Sequence, residues 1–247
     1  MTEFSPRGYD EVLAAIRDRG FGFHGFADVA DGRVPDGKIC LLRHDVDVSM
    51  DFALDMARQE ARHGVRSTYF VMLRSPMYNL LSRRASDALR EMVKLGHEIG
   101  LHFDAAYSQG EERSPQDWIA FEMRTLEALA GARVAAFSFH QPTSEILARR
   151  IEVAGAINTY HPEHLPGFKY ISDSNRVWRE YDPFQLLDAG FGKIQLLFHP
   201  VWWMCDLVDV ERCWDEAIRR NFAGMQRQLL DTERAYGRER KLTLEST

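Results

Sequence analysis

The sequence predicts a parallel α/β domain, either a (β/α) barrel or a doubly wound sheet. Short apolar runs alternate with longer amphipathic stretches from residue 38 to residue 235, and neither a linker nor an internal repeat interrupts the pattern. Polar residues stand at the carboxyl ends of the predicted strands, namely Asp45, Asp47, His102, His140 and His199. Because a barrel collects these strand ends at one mouth, the pattern favours a single (β/α) barrel.

Strands are predicted where short apolar runs begin after turn residues. The first covers residues 38–43 (KICLLR), and the second covers residues 67–73 (STYFVML), which are rich in β-formers. Further strands are predicted at residues 98–102, 133–140, 157–160 and 193–198.

Two helices are predicted in the first half of the chain. Ser49 is an N-cap candidate for a helix over residues 50–63, which Gly64 ends. The next helix passes through residues 85–92, where apolar side chains recur at i, i+3, i+4 and i+7, and it ends by Gly96.

Helices in the second half alternate with less regular segments. Ser114 and Pro115 supply a cap and an N1 proline for a helix that ends at Gly131, with an inner face predicted at Trp118, Phe121, Thr125 and Leu129. A shorter helix is predicted at about 144–154, and residues 161–192 are predicted to be rich in loops. A long helix is predicted at about 208–235, and its inward residues are predicted to be Trp214, Ala217, Ile218, Met225 and Leu229.

Composition and charge exclude several classes of protein. The 247 residues contain 45% hydrophobic residues, which excludes intrinsic disorder and suits one catalytic domain over residues 1–247. The net charge of −6 argues against nucleic acid as a partner. No stretch approaches the roughly 18 apolar residues of a membrane span.

The cysteines and the amino terminus bear on cellular compartment. Cys40, Cys205 and Cys213 form no CxxC pair, so neither a disulfide framework nor a cysteine zinc site is predicted. The first twenty residues carry charges throughout and lack an apolar run followed by small residues, so they do not resemble a signal peptide. We therefore expect a cytoplasmic protein.

The residues at the strand ends have the chemistry of a metal site. Asp45 and Asp47 are separated by one residue, so on an extended chain both carboxylates point to the same side and need a cation. One acid could instead cap the next helix while the other pairs with Arg43. Histidines that end three other strands add nitrogen ligands, and a mixed nitrogen and oxygen set suits a divalent ion.

Four segments together resemble the polysaccharide deacetylases of the NodB-homology type, carbohydrate esterase family four. Residues 43–47 (RHDVD) resemble the first motif of that family in its Asp-x-Asp version, and residues 96–102 (GHEIGLH) resemble the second. Residues 196–199 (LLFH) resemble the last motif, and residues 138–143 (SFHQPT) lie where an Arg-x-Pro motif is expected. Order and spacing agree across about residues 38–203. The resemblance implies a distorted barrel, one divalent metal with zinc as the first choice, and hydrolysis of an N-acetyl group on a sugar.

Two positions depart from the family pattern. The second metal histidine is replaced by Ala106, and His140 stands in place of the orienting arginine. Our hypothesis is that His140 is the third metal ligand, beside Asp47 and His102, while Arg43 takes over the orienting ion pair with Asp45. Asp104 is the competing third ligand, because it lies two residues beyond His102.

The resemblance also assigns roles in catalysis and binding. Asp45 is expected to be the base and His199 the acid. The aromatic residues near strand ends either form a wall on which a sugar packs or belong to the core, namely Trp202, Trp203, Tyr107, Phe139 and Tyr160. Asp173 is expected to support the site and to contact the substrate. His97 is interpreted as a packing residue, and His161 and His164 are interpreted as loop residues rather than ligands.

The expected substrate is an acetamido sugar that is nucleotide-linked, lipid-linked or at the end of a glycan. The resemblance suggests a role in bacterial surface polysaccharide biosynthesis, such as that of O-antigen in lipopolysaccharide. Two alternatives are hydrolysis of another non-peptide amide, such as a formamide, and non-catalytic carbohydrate binding.

Overall fold

The computed structural model describes residues 2–33, 36–108 and 112–236. The strands are β1 (Phe21–His24), β2 (Lys38–Val46), β3 (Thr68–Val71), β4 (Glu98–Asp104), β5 (Ala136–His140), β6 (Ile157–Asn158), β7 (Lys169–Ser172) and β8 (Lys193–Phe198). The helices are α1 (Pro6–Asp18), α2 (Phe26–Ala30), α3 (Met50–Arg62), α4 (Arg83–Lys94), α5 (Pro115–Ala130), α6 (Ser144–Ala148), α7 (Pro183–Asp188), α8 (Pro200–Trp203) and α9 (Val210–Thr232).

All eight strands belong to one sheet, and every strand pair is parallel. The order along the sheet is β6-β5-β4-β3-β2-β8-β7. Strand β8 pairs with one edge of β2, while β1 and β3 share the other edge in succession, β1 beside residues 38–41 and β3 beside residues 43–46. This long strand therefore pairs with three others, and the Asp-x-Asp segment begins within it.

The sheet curls into an open, distorted barrel. Leu41 of β2, Phe70 of β3, Ala136 of β5 and Ile157 of β6 meet in one apolar cluster, which a flat sheet would not allow. The two ends of the sheet also approach each other, since the Gln195 Nε2 of β8 donates to the carbonyl of Thr159, one residue beyond β6, at 3.4 Å. The barrel predicted from the sequence is confirmed, and the doubly wound alternative is excluded.

Alternation along β2 sends its side chains to two different environments. Leu41, Arg43 and Asp45 point into the barrel, whereas Leu42 and Val46 pack in the larger core between the sheet and the surrounding helices. Every residue of β2 after Lys38 is buried. The inward series ends at the mouth, where the polar strand ends collect.

Several predicted elements need correction. Residues 2–33 contain α1, β1 and α2, for which no element was predicted, and the predicted loop over residues 161–192 contains β7 and α7. The inner face predicted for α5 is displaced: Trp118 and Leu129 pack against the core but Phe121 is exposed. The residues that the helix buries are Ile119, Glu122, Met123, Leu126 and Ala130. The face predicted for α9 is right for Ala217, which is buried, and for Trp214, which packs against the core, but it is wrong for Ile218, Met225 and Leu229, which are exposed.

Among the helices in the described part of the chain, none is both long enough and apolar enough to cross a bilayer. The three cysteines are buried and free.

Gly100 gives a test of how tightly the barrel interior is packed. A Cβ at this position would lie 2.5 Å from the ring of Phe70, so Gly100→Ala should lower the free energy of unfolding by about 1–3 kcal/mol, the usual cost of overpacking. Urea denaturation measures the change. Gly192→Ala is the matched control, because a Cβ there meets nothing within 4 Å. Equal losses in the two variants would show that the interior is not tightly packed around Phe70.

Candidate active site

Three side chains converge at the mouth of the barrel. The Asp47 Oδ1 lies 3.1 Å from His102 Nε2 and 3.2 Å from His140 Nδ1, and the two imidazole nitrogens are 3.3 Å apart. Ligand atoms about 2.0–2.1 Å from a tetrahedral zinc ion lie roughly 3.3–3.4 Å from one another. The three atoms thus form one face of a tetrahedron of nearly the right size for such an ion.

Hydrogen bonds orient His102 for this role. Its Nδ1 lies 2.7 Å from the Ser138 hydroxyl on the neighbouring strand, so with an ion bound a proton on Nδ1 would leave the lone pair of Nε2 to the metal. Ser138 and His140 are two residues apart on β5, so both side chains point to the same face of the strand and reach the barrel interior. The sequence analysis did not single out Ser138, although its spacing of two from His140 is the signal that places it there.

The two histidines also determine the charge of Asp47. Burial raises the pKa of this carboxyl, but hydrogen bonds with His102 and His140 hold it well below its usual range. The pKa of His140 is raised, chiefly by its hydrogen bond with Asp47. The carboxylate is therefore ionised, as a metal ligand must be.

The competing ligand Asp104 is engaged elsewhere. Its Oδ1 accepts the backbone N–H of Ala106 at 3.0 Å, within the turn of 3-10 helix that follows β4. Among the described residues that could hold a metal, the group at the mouth consists of Asp47, His102 and His140. The structure brings His140 rather than Asp104 to the other two, and the ligand assignment itself stays a prediction.

A second group of potential ligands is formed by Glu152, His161 and His164. The Nδ1 of His161 accepts the N–H of Glu163 at 3.2 Å, and the Nδ1 of His164 accepts the N–H of Asn158 at 2.9 Å. A neutral imidazole that accepts at Nδ1 carries its proton on Nε2, so neither Nε2 has a free lone pair. The chemistry of this group does not fit a metal ion.

Asp45 and Arg43 form a buried ion pair behind the metal-binding face. The Arg43 Nη2 donates to Asp45 Oδ2 at 3.0 Å and to the Tyr160 hydroxyl at 3.2 Å. Aromatic rings of Phe70, Tyr160 and Tyr170 surround the guanidinium, with centroids 5.1–5.8 Å from its central carbon. Burial lowers the pKa of Arg43, but Asp45 and the tyrosines raise it above its usual range, so the guanidinium keeps its charge.

Only one oxygen of Asp45 is used by this pair. The Asp45 Oδ1 is buried and has no hydrogen-bond partner among the described residues, although the side chain lines the cavity at the barrel mouth. A buried carboxylate oxygen without a partner is costly. The described part of the protein leaves this oxygen without a donor, beside a cavity that the same side chain lines.

His199 approaches the metal-binding face from β8. Its Nδ1 lies 2.5 Å from Asp173 Oδ1, while its Nε2 faces the site, 3.8 Å from Asp47 Oδ2. Burial lowers the pKa of His199, but the Asp173 carboxylate outweighs burial and the pKa rises to about 9. His199 can therefore hold a proton on the nitrogen that faces the site.

A cavity of about 660 Å³ lies over these groups, within the usual size of a small-molecule site. Its wall includes aromatic side chains from several segments, namely Phe139, Tyr160, Tyr170, Tyr181, Trp202 and Trp214. A second cleft of about 690 Å³ adjoins it, and His140 and Gln141 line both. Tyr170 and Tyr181 were missed in the sequence because β7 and the segment after it were interpreted as loop.

Three of the predicted substrate contacts need correction. Trp203 is fully buried, and its Nε1 donates to Asp173 Oδ2 at 2.7 Å. Asp173 is itself fully buried behind His199, whose backbone N–H it also accepts. Tyr107 packs against Arg74 and Trp118, and it lines neither cavity. Asp173 and Trp203 therefore support His199 and do not touch a substrate.

Trp202 and Tyr160 do line the cavity, although Trp202 is only 3% exposed. The Trp202 ring packs edge-to-face on Trp214 at 5.3 Å. Tyr160 and Trp202 therefore remain predicted contacts of a sugar in this cavity.

Comparison with known proteins gives matches among solved structures alone, since no family model and no curated protein matches this chain. The pseudoenzyme BA3943 of carbohydrate esterase family 4, from Bacillus anthracis, is 15% identical with a TM-score of 0.43, over 79% of this chain and 63% of that one. This chain thus spans less than two thirds of the length of BA3943.

Two further structures show a similar degree of likeness. The Streptococcus pyogenes deacetylase PplD, in complex with acetate, is 15% identical with a TM-score of 0.47, over 74% of this chain and 85% of that one. A family 4 acetyl xylan esterase from Clostridium thermocellum, in complex with a cobalt ion, is 15% identical with a TM-score of 0.43, over 76% and 85%.

We expect one divalent ion per chain, and His140→Ala should weaken its binding by more than the roughly 10- to 100-fold that loss of an outer-shell partner costs. The reason is that His140 supplies one of the three atoms at the mouth. Titration calorimetry with zinc, supported by elemental analysis, measures the affinity and the stoichiometry.

His164→Ala and Asp104→Asn are the matched controls for this prediction, and neither should change zinc binding. If Asp104→Asn lost the ion while His140→Ala kept it, Asp104 would be the third ligand.

Proposed function

We propose that this protein is a metal-dependent hydrolase that removes the acetyl group from an N-acetylated sugar. The observation that carries the proposal is the face formed by Asp47, His102 and His140, with an unpartnered oxygen of Asp45 beside it in the same cavity. The resemblance of residues 43–47 and 96–102 to deacetylase motifs supports the same reaction.

The donor set of two imidazole nitrogens and one carboxylate oxygen fits zinc. An ion bound there would supply Lewis acidity, which lowers the pKa of a water molecule toward about 7 and polarises an amide carbonyl. With three protein ligands, the set is that of a catalytic site rather than a closed structural one.

Asp45 is the proposed base. Its Oδ2 is held by Arg43, so the carboxylate cannot rotate freely, and its Oδ1 is left to accept the proton of the attacking water. Arg43 lies on the same strand, two residues before Asp45, and it supplies the orienting ion pair that the resemblance leads one to seek at position 140. Tyr160 accepts a second hydrogen bond from Arg43 and fixes the guanidinium.

His199 is the proposed acid. Asp173 accepts from Nδ1 and stabilises the protonated ring, so the proton on Nε2 is available to the leaving amine. An amine is a poor leaving group unless it is protonated. The pKa of about 9 that Asp173 produces keeps the acid form populated at neutral pH.

The proposed substrate is an acetamido sugar that is nucleotide-linked, lipid-linked or at a glycan terminus, in the biosynthesis of a bacterial surface polysaccharide. Residues from β7 to Tyr181 line one side of the cavity, together with Tyr160 and Trp202. Aromatic faces of this kind pack on sugar rings. A formamide in place of the acetamide would require a smaller acyl pocket.

Asp45→Asn and His199→Ala should each lower turnover by about 10²- to 10⁴-fold, the usual contribution of a general base or acid. Neither side chain belongs to the metal-binding face, so zinc affinity should stay close to that of the unmodified protein. Near-normal turnover in either variant would remove that residue from the mechanism. Asp31→Asn, which removes an acid outside the barrel, is the control for general effects of charge.

The substrate class can be tested by acetate release from a panel of acceptors. We expect release from an N-acetylated sugar nucleotide or from the ends of short oligosaccharides, and little from long chitin-like or peptidoglycan chains, because β7 and its neighbours wall the mouth. Robust release from polymer alone would contradict the terminal-unit substrate. Formate release from a formamido sugar without acetate release would identify the acyl group as formyl. Zinc-loaded protein that binds the sugars and hydrolyses none of them would be a carbohydrate-binding protein.

A further inference from the structure

A second buried polar cluster lies on the opposite face of β2 from the cavity. Its centre is the carboxylate of Glu60 on α3, which is fully buried. Four groups donate to it: the Tyr9 hydroxyl and His44 Nε2 to one oxygen, and the Ser67 and Tyr69 hydroxyls to the other. Burial raises the pKa of Glu60, but the neighbouring His44 and the other donors lower it to about 2, so the carboxylate is ionised.

His44 is the cation that faces this carboxylate. Its Nε2 lies 2.7 Å from Glu60 Oε1, and its Nδ1 lies 3.3 Å from the carbonyl oxygen of Phe198 on β8. A carboxylate and a carbonyl oxygen can only accept, so both ring nitrogens of His44 donate. A ring with two donors is an imidazolium.

The other histidine of the cluster is neutral. The Nδ1 of His97 accepts the backbone N–H of Ser67 at 3.3 Å, and its Nε2 donates to the carbonyl of Ala57 at 2.9 Å. Burial lowers the pKa of His97, in keeping with that state. Both histidines therefore face Glu60, but only His44 reaches β8.

The group that His44 holds is the peptide bond between Phe198 and His199. The carbonyl of this peptide accepts from His44, and its N–H donates to Asp173, 3.0 Å from Oδ2. The peptide that carries the proposed acid is thus fixed from both sides. The His44 imidazolium holds its carbonyl, and the carboxylate of Asp173, one residue beyond β7, holds its N–H. Asp173 also holds the ring of His199, at Nδ1.

We propose that His44 is a positioning residue for His199: the charged ring, anchored by Glu60, fixes the Phe198–His199 peptide and thereby the direction of the His199 side chain. The inference rests on the role of His199 in the proposed function. His44 lies outside the cavity and touches no substrate, so it acts on turnover and not on substrate affinity.

The test compares His44→Gln with His97→Gln. Both remove a buried histidine beside Glu60, so both should lose stability in urea denaturation. Only His44→Gln should lower kcat, by about 10- to 100-fold, which is the cost of slight misplacement of a reacting group, while KM stays unchanged. Equal effects of the two substitutions on kcat, or no effect of either, would overturn the proposal.

A second readout does not depend on activity. The proton between His199 Nδ1 and Asp173 lies in a short, buried hydrogen bond, so it should give a low-field signal in proton NMR that Asp173→Asn abolishes. His44→Gln should shift this signal, and His97→Gln should leave it in place. An unchanged signal in His44→Gln would overturn the proposal. If the unmodified protein is inactive and the signal still shifts in His44→Gln alone, the proposed function fails while the positioning role stands.

Glu60→Gln keeps the test decisive if His44→Gln does not fold. A neutral glutamine does not favour the doubly protonated form of His44 as the carboxylate does. In the fraction of molecules where the ring is neutral, one of its two hydrogen bonds is lost. The low-field signal should then move in the same direction by a smaller amount. A folded Glu60→Gln protein with the unmodified signal would count against the proposal.

Discussion

Arg43 and Asp45 form an ion pair inside the barrel, where neither side chain is more than 3% exposed. A buried pair of this kind seldom adds net stability, because removing two charges from water costs about as much as their attraction returns. Loss of one partner is far more damaging, since the other charge is left buried alone. The pair is best understood through geometry: it holds one carboxylate oxygen so that the other is presented to the cavity.

The two buried polar networks meet at one strand. Arg43 and Asp45 face the interior, whereas His44, between them, faces the helices and joins Glu60 to β8. Each network pairs a cation with a carboxylate, Arg43 with Asp45 and His44 with Glu60, so each of these buried charges has a partner of opposite sign. Because successive residues of a strand point to opposite sides, a shift of β2 by one residue would exchange the two networks and disrupt both. The register of β2 against β3 and β8 is therefore the condition for the site.

The sequence was most informative where apolar runs end abruptly in an acid or a histidine. That pattern placed Asp47, His102 and His140 at strand ends, and the structure brings them together. It was least informative where burial depends on distant partners. Glu60 continues the helical series of Ala53, Met56 and Ala57, but its burial depends on donors from α1, β2 and β3, which no local pattern reveals.

The inner face of α5 was mispredicted for a similar reason. Arg74 pairs with Glu122 at 2.6 Å and allows a glutamate to face inward. The guanidinium of Arg113 lies over the rings of Trp118 and Phe121. The pattern of apolar residues along the helix reveals neither the ion pair nor the contact between a cation and aromatic rings. Strand β7 was missed because it has four residues and only one of them is buried.

Strand β6 forms one end of the open sheet and has only two residues, Ile157 and Asn158. The backbone N–H of Asn158, on the side away from β5, donates to the ring of His164, and the Asn158 side chain donates to the carbonyl of Ile151. Exposed strand edges are templates on which other molecules can add strands and aggregate. The imidazole of His164 accepts the hydrogen bond that an added strand would otherwise accept from Asn158. A side chain thus takes the place of a further strand at this open edge and opposes aggregation there.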